Sequence, residues 1–179
     1  MEIAMKKLAI LFLLCVLCIA LCSCSLNGTI KSDQQIANER LDAFLQALEN
    51  KDAETLTGLF SATAVSKSND FDNDLKSLLD YFEGVTLSYN KESPISVEKE
   101  RDEDFEKKTI YSTYDVQTDK QTYRIAIQDV IDNTSNESDI GIHSLYIITM
   151  SDDTDPDYAY RGDGKNTPGI HIGIKNIIP

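Results

Sequence analysis

The sequence predicts an α+β fold in which N-terminal helices pack on one face of a curved antiparallel sheet of about four strands. Between Asp33 and Glu83 the apolar residues recur at helical spacing, and from Val85 onward the period changes to two, with β-branched and aromatic runs. Composition agrees. With 41% hydrophobic residues in 179, the chain can bury a proper core, and once a leader is lost it suits one domain, over residues 33–179.

The first element, residues 1–23, reads as an export leader. Lys6 and Lys7 give a positive start, and the uncharged run Leu8 to Leu21 has the length signal peptides use while being too short to span a bilayer comfortably. Glu2 is out of place in such a start; Met5-Lys6-Lys7 is a more ordinary beginning than Met1, so translation is expected to begin at Met5. The run ends Leu21-Cys22-Ser23-Cys24, which resembles the lipobox of bacterial lipoproteins: an aliphatic residue, a tolerant position, a small residue and the cysteine that is modified. Cleavage before Cys24 and a diacylglyceryl group on its thiol, with palmitate among the acyl chains, would hold the protein on the extracytoplasmic face of the cell membrane, because two chains anchor stably where one does not. Residues 24–32 are then a lipidated polar tether.

Cysteine usage and charge exclude several classes of function. Cys15, Cys18, Cys22 and Cys24 are the only cysteines, so the segment Ser25 to Pro179 has no disulfide, thiol nucleophile or thiolate metal site. Cys15, Cys18 and Cys22 serve as small apolar residues of the leader. The net charge is −13, and losing Glu2, Lys6 and Lys7 with the leader makes the remainder one unit more negative. Such a chain lacks the clustered Lys and Arg that nucleic-acid phosphates need, and it is repelled by anionic membrane surfaces, so attachment falls to the lipid.

The first helix follows from Ala37, Leu41, Phe44, Leu45 and Leu48, capped by Ser32 or Asp33. A short second one, near Ala53 to Phe60, buries Leu56, Leu59 and Phe60, and a third repeats the first spacing with Phe71, Leu75, Leu78, Leu79 and Phe82 before Gly84 ends it. Strands follow: Ile110, Ser112, Tyr114 and Val116 share one side, then Tyr123, Ile125 and Ile127, then Ile140, Ile142, Tyr146 and Ile148. Thr118-Asp119-Lys120 is the turn between the first two, and Asn133 to Asp139 a polar loop before the last. Ile170, Ile172, Ile174, Ile177 and Ile178 are too apolar for a free tail, and the first three are expected to form an added strand.

These elements resemble a known group. The helix Asp33–Glu49, the turn Asn50-Lys51-Asp52-Ala53-Glu54, Leu59-Phe60-Ser61 and Asp80-Tyr81-Phe82-Glu83-Gly84 look like the small lipoproteins of Gram-positive bacteria grouped as a domain of unknown function. Ser112-Thr113-Tyr114-Asp115-Val116, Thr122-Tyr123-Arg124-Ile125, Ser144-Leu145-Tyr146-Ile147-Ile148, Gly162-Asp163-Gly164-Lys165 and Thr167-Pro168-Gly169-Ile170 extend the likeness over most of the chain. It implies a cone-shaped fold similar to nuclear transport factor 2 and the cystatin-like superfamily. It implies no catalytic residues, and that fold hosts isomerases, dehydratases and binding modules alike.

The leading expectation is a non-enzymatic module that binds a small molecule, peptide or protein at the envelope, with Tyr114, Arg124 and Tyr146 as ligand contacts and no cofactor or metal. The alternative is an isomerase or hydratase using Asp115, Asp129 or His143 as a base inside the cone. Solvent-facing carboxylates and an ordinary packed or surface histidine are the blander readings, as is an Arg124 that pairs with Asp115 across the sheet. His171, the other histidine, lies in a Gly-rich tail. Asp153, Asp155 and Asp157 have the alternate spacing of a calcium loop, but Tyr158 stands where Gly is wanted and Gly164 where Glu is wanted, so a solvated turn is preferred. Arg161-Gly162-Asp163 is read as a turn, and the sequons at Asn27, Asn133 and Asn136 as polar loops. The open sheet of this fold class also allows a homodimer.

Overall fold

The computed structural model describes residues 31–154 and 167–173. The leader, the tether up to Ile30, Asp155 and Asp157, the Arg161-Gly162-Asp163 triplet, the sequon at Asn27 and Ile174, Ile177 and Ile178 lie outside the described residues. Four helices and six strands are described: α1 (Asp33–Glu49), α2 (Ala53–Leu59), α3 (Ala62–Lys67), α4 (Phe71–Tyr81), β1 (Thr86–Lys91), β2 (Ser96–Asp102), β3 (Phe105–Thr118), β4 (Thr122–Asn133), β5 (Gly141–Thr149) and β6 (Gly169–Ile172).

Helix α1 begins as its sequence asks. The Ser32 hydroxyl accepts from the Gln35 amide and the Gln35 side chain reaches back to the Ser32 amide, a reciprocal box that satisfies two otherwise orphaned donors. Leu41, Phe44 and Leu48 are wholly buried, each contributing about 1.5–3 kcal/mol by leaving water, which docks a helix too short to persist alone. The helix ends in a left-handed Lys51, at φ 53°, with Asp52 N–H donating to Ala47 at 2.9 Å and Lys51 N–H to Leu48 at 3.0 Å. The Lys51 ammonium then donates to the carbonyls of Leu79 and Phe82, which α4 leaves unpaired at its end.

Two helix expectations need correction. The residues after Phe60 form a further helix, α3, capped by the Ser61 side chain; with only Ala64 buried it carries too few apolar residues to show a period. Gly84 does not end the last helix directly: α4 stops at Tyr81, Phe82 is already extended, and Gly84 at φ +92° lets the chain pass Asp119, whose carboxylate a Cβ there would meet at 2.3 Å.

The sheet has six strands and is mixed, where about four antiparallel strands were expected. Its order is β1-β3-β4-β5-β6, and β2 also pairs with β3. β1 takes Tyr114 to Thr118 and β2 takes Phe105 to Tyr111, so both lie on the edge of β3 away from β4. Every residue of β2 is exposed, which explains why no alternation announces it. β6 does carry Ile170 and Ile172, as expected, but it runs parallel to β5. Bulges interrupt the β3–β4 pairing at Lys108/Thr109 and the β4–β5 pairing at Gln128/Asp129, and such bulges bend a sheet.

One face of this sheet is filled. Tyr114, Val116, Tyr123, Ile125, Ile127, Ile142, Leu145 and Ile147 form a single cluster with Leu41, Phe44, Leu48, Leu56, Phe71, Leu78 and Phe82 of the helical half. The bulge at Asp129 corrects the expected facing of β5. Gln128 pairs with Ser144 and Asp129 with Ile142, leaving His143 as the extra residue; Ile142 therefore joins Leu145 and Ile147 on the helical face, while Tyr146 and Ile148 face away and Ile140 is 40% exposed.

Candidate functional site

The side chains named as candidates do not converge. Asp115 and Arg124 are cross-strand partners joined by two hydrogen bonds, Nε to Oδ1 at 2.7 Å and Nη2 to Oδ2 at 3.0 Å, so the plain pairing is what this arginine does. Asp129 lies five residues further along β4, roughly 16 Å at strand rise, and on the opposite face. It is 2% exposed, receives Arg40 Nε at 2.8 Å on Oδ2, and its Oδ1 has no hydrogen-bond partner among the described residues. His143 occupies the bulge on β5. A base in a shared cone pocket would need these groups on one face, and they are not.

Of the three expected ligand contacts, Tyr114 is wholly buried in the helical core, where its hydroxyl donates to Asn38 at 3.0 Å and its ring meets Tyr89 edge-on; burial pushes its phenol up. Arg124 is held by Asp115. Only Tyr146 lines a cavity.

That cavity, about 410 Å³, lies on the face away from the helices. Its floor comes from alternate positions of three strands, Tyr111 and Thr113 of β3, Ala126 and Gln128 of β4, and Ser144 and Tyr146 of β5. Its wall is Ser93, Pro94 and Ser96, from the connection between β1 and β2 and the start of β2. No charged residue is among the lining, in a chain with 26% charged residues. The floor is built deep: Ser144 is 1% exposed, and Thr113 and Tyr146 are 5% exposed. Tyr146 is also stacked on His171 of β6, ring centres 4.5 Å apart and 19° from parallel.

A hydrogen-bonded row crosses this floor from β5 to β2. Ser144 Oγ donates to Gln128 Oε1 at 3.0 Å, Gln128 Nε2 to the Tyr111 hydroxyl at 3.4 Å, and Tyr111 to Glu98 Oε2 at 2.8 Å. Burial, then the hydrogen bond to Glu98 and its charge, push the Tyr111 phenol up to about 12, so it stays a proton donor at any physiological pH. The arrangement suits recognition of uncharged polar groups. Tyr111, Gln128, Ser144, Ser96 and Glu98 escaped the sequence reading. The one signal available was a set of alternate strand positions free of charge opposite the apolar positions, and that pattern looks like any half-polar strand.

The two described sequon asparagines are spoken for. Asn133 is 3% exposed, its amide donates to Asp139 at 3.0 Å, and its oxygen accepts from the amides of Ser135 and Asn136, while Asn136 accepts from Ser138 N–H. Both shape the loop before β5. Among the described residues no group of three or more His, Cys, Asp and Glu gathers as metal ligands, and no helix is long and apolar enough to cross a membrane.

No curated protein matches the chain. The family model described as Domain of unknown function (DUF5104) matches residues 43–150, from within α1 through β5 and over more than half of the sequence, and the chain belongs to that family.

Proposed function

We propose that this chain is an extracytoplasmic lipoprotein, cut before Cys24 and anchored by a diacylglyceryl group on its thiol, whose helix-free sheet face binds an uncharged polar ligand without turning it over. The observation that carries the binding reading is the groove: its volume lies in the range small-molecule sites use, its floor sets polar side chains among apolar surface, and its lining is free of charge. Nothing favours the isomerase or hydratase reading, since Asp115 and Asp129 are held in ion pairs on opposite faces and His143 sits in a bulge. We also read the frame as a nuclear transport factor 2-like cone. Support comes from helices that precede the sheet, cover one face of it and fill the space beneath, and from long β3 and β4 strands interrupted by bulges.

Two experiments test the reading. Growth with an alkyne-tagged palmitate is expected to label the full chain, and Cys24→Ala is expected to abolish the label and accumulate uncut precursor on a gel. Label that survives in Cys24→Ala but vanishes in Cys22→Ala would move the site to Cys22. For the groove, Ser96→Trp places an indole on an exposed wall position, where a substitution costs about 0.5 kcal/mol or less. Titration of the full chain with neutral saccharides and neutral peptides, followed by NMR, is expected to shift Tyr111, Gln128 and Ser144 and to lose that response in Ser96→Trp. A response that Ser96→Trp leaves intact would place binding elsewhere.

A further inference from the structure

We propose that the groove takes a neutral saccharide through a pair of neighbouring hydroxyls, and that Glu98 is the positioning residue that decides which hydroxyl donates and which accepts. This rests on the groove being a binding site, and it adds the ligand class and its determinant. The row begins at the rim, with Glu98. An ionised carboxylate only accepts, so the single phenolic proton of Tyr111 is committed to Glu98 at 2.8 Å. The Tyr111 oxygen is then an acceptor for Gln128 Nε2, which turns Gln128 Oε1 toward Ser144 and commits the Ser144 proton to it at 3.0 Å. Every hydroxyl proton of the row points toward β2.

What remains for a ligand is therefore fixed. Ser144 Oγ offers lone pairs, and Gln128 Nε2 offers its second N–H, on register neighbours about 4.5–5.5 Å apart across β4 and β5. An acceptor beside a donor matches two adjacent hydroxyls of a sugar, one giving and one receiving. One residue of an extended peptide can also offer its N–H and C=O along a single edge, so the apolar surface beside the pair carries the choice of a saccharide, and the capped tripeptide below tests it. Anions would face the Ser144 lone pairs and a strongly negative chain, and cations find no carboxylate in the lining. Pro94, Ala126 and Tyr146 supply apolar surface for the C–H face of a sugar, and about 410 Å³ accommodates a mono- or disaccharide unit.

The test uses the full lipidated chain in a sugar-free detergent, titrated calorimetrically with maltotriose, with tri-N-acetylchitotriose and with a neutral capped tripeptide. At least one saccharide is expected to bind and the tripeptide is not. Glu98→Gln frees the row to reverse, and is expected to weaken saccharide binding about tenfold, the scale of a lost charge-assisted hydrogen bond. The same variant is expected to lower the Tyr111 phenol, followed by NMR, from about 12, with the largest part of the rise, which comes from burial, remaining and the melting temperature unmoved. Saccharide binding that Glu98→Gln leaves unchanged overturns the role of Glu98. Binding of the tripeptide alone overturns the saccharide class and leaves the groove standing, whereas binding of none of the three overturns the saccharide class and counts against the groove itself.

Discussion

Arg40→Ala is expected to destabilise the folded chain by about 3 kcal/mol, among the largest effects of any single charged-residue substitution here. Asp129 is 2% exposed, and among the described residues Arg40 is its hydrogen-bond partner, at 2.8 Å from α1 to β4. Removing the guanidinium leaves a carboxylate buried without compensation, which costs about 3–5 kcal/mol in general; the lower end applies because the Arg40 side chain is 25% exposed and its vacated space opens toward water. Asp129→Ala should cost less, since the freed Arg40 can turn to solvent. The double variant Arg40→Met with Asp129→Leu should recover most of the loss, because no charge remains to be desolvated. Urea melts of the four proteins at one pH check this, and equal losses in Arg40→Ala and Asp129→Ala would show that the pair is not the buried, asymmetric one described.

Gly141→Ala is expected to lower the melting temperature by several degrees. Gly141 sits at φ +123°, a conformation that costs a residue with a Cβ about 1–3 kcal/mol, and in a chain of this size each kcal/mol moves the midpoint by about 2–4 °C. Space compounds the strain. A Cβ there would lie 2.8 Å from the Ser61 nitrogen and 3.0 Å from the Phe60 carbonyl carbon, where the chain between α2 and α3 runs beside β5 and Ser61 N–H donates to the Ile142 carbonyl at 3.0 Å. The substitution should therefore raise amide exchange at Ser61 and Ala64 before the chain unfolds. A thermal melt within a degree of the parent would show that this approach is looser than described.

Some of this molecule was legible because the physics is local. The start of α1 shows as a capping residue at Ser32 or Asp33, the burial of Leu41, Phe44 and Leu48 follows from a 3.6-residue period, and Tyr123, Ile125 and Ile127 share a face because strands alternate. The two strands along the outer side of β3 were not legible: β2 is exposed at every position and β1 at most, so neither has an apolar face to betray it. The apolar alternation lies in β3, β4, β5 and β6.

By itself, then, the sequence determined the α+β class, helices before strands, three of the four helices to within a few residues, and the apolar faces of β3 and β4. Tertiary structure decided the rest, through contacts whose partners are far apart in the chain. A bulge opposite Asp129 flipped the facing of Ile142 and placed His143 out of register. Asp129 became a buried ion-pair partner only because Arg40 comes to it across 89 residues. Ser144, Gln128, Tyr111 and Glu98 are ordinary polar residues of four separate strands, and they became a row because the pairing sets Tyr111, Gln128 and Ser144 side by side with Glu98 diagonally across β2, away from the face that the helices fill.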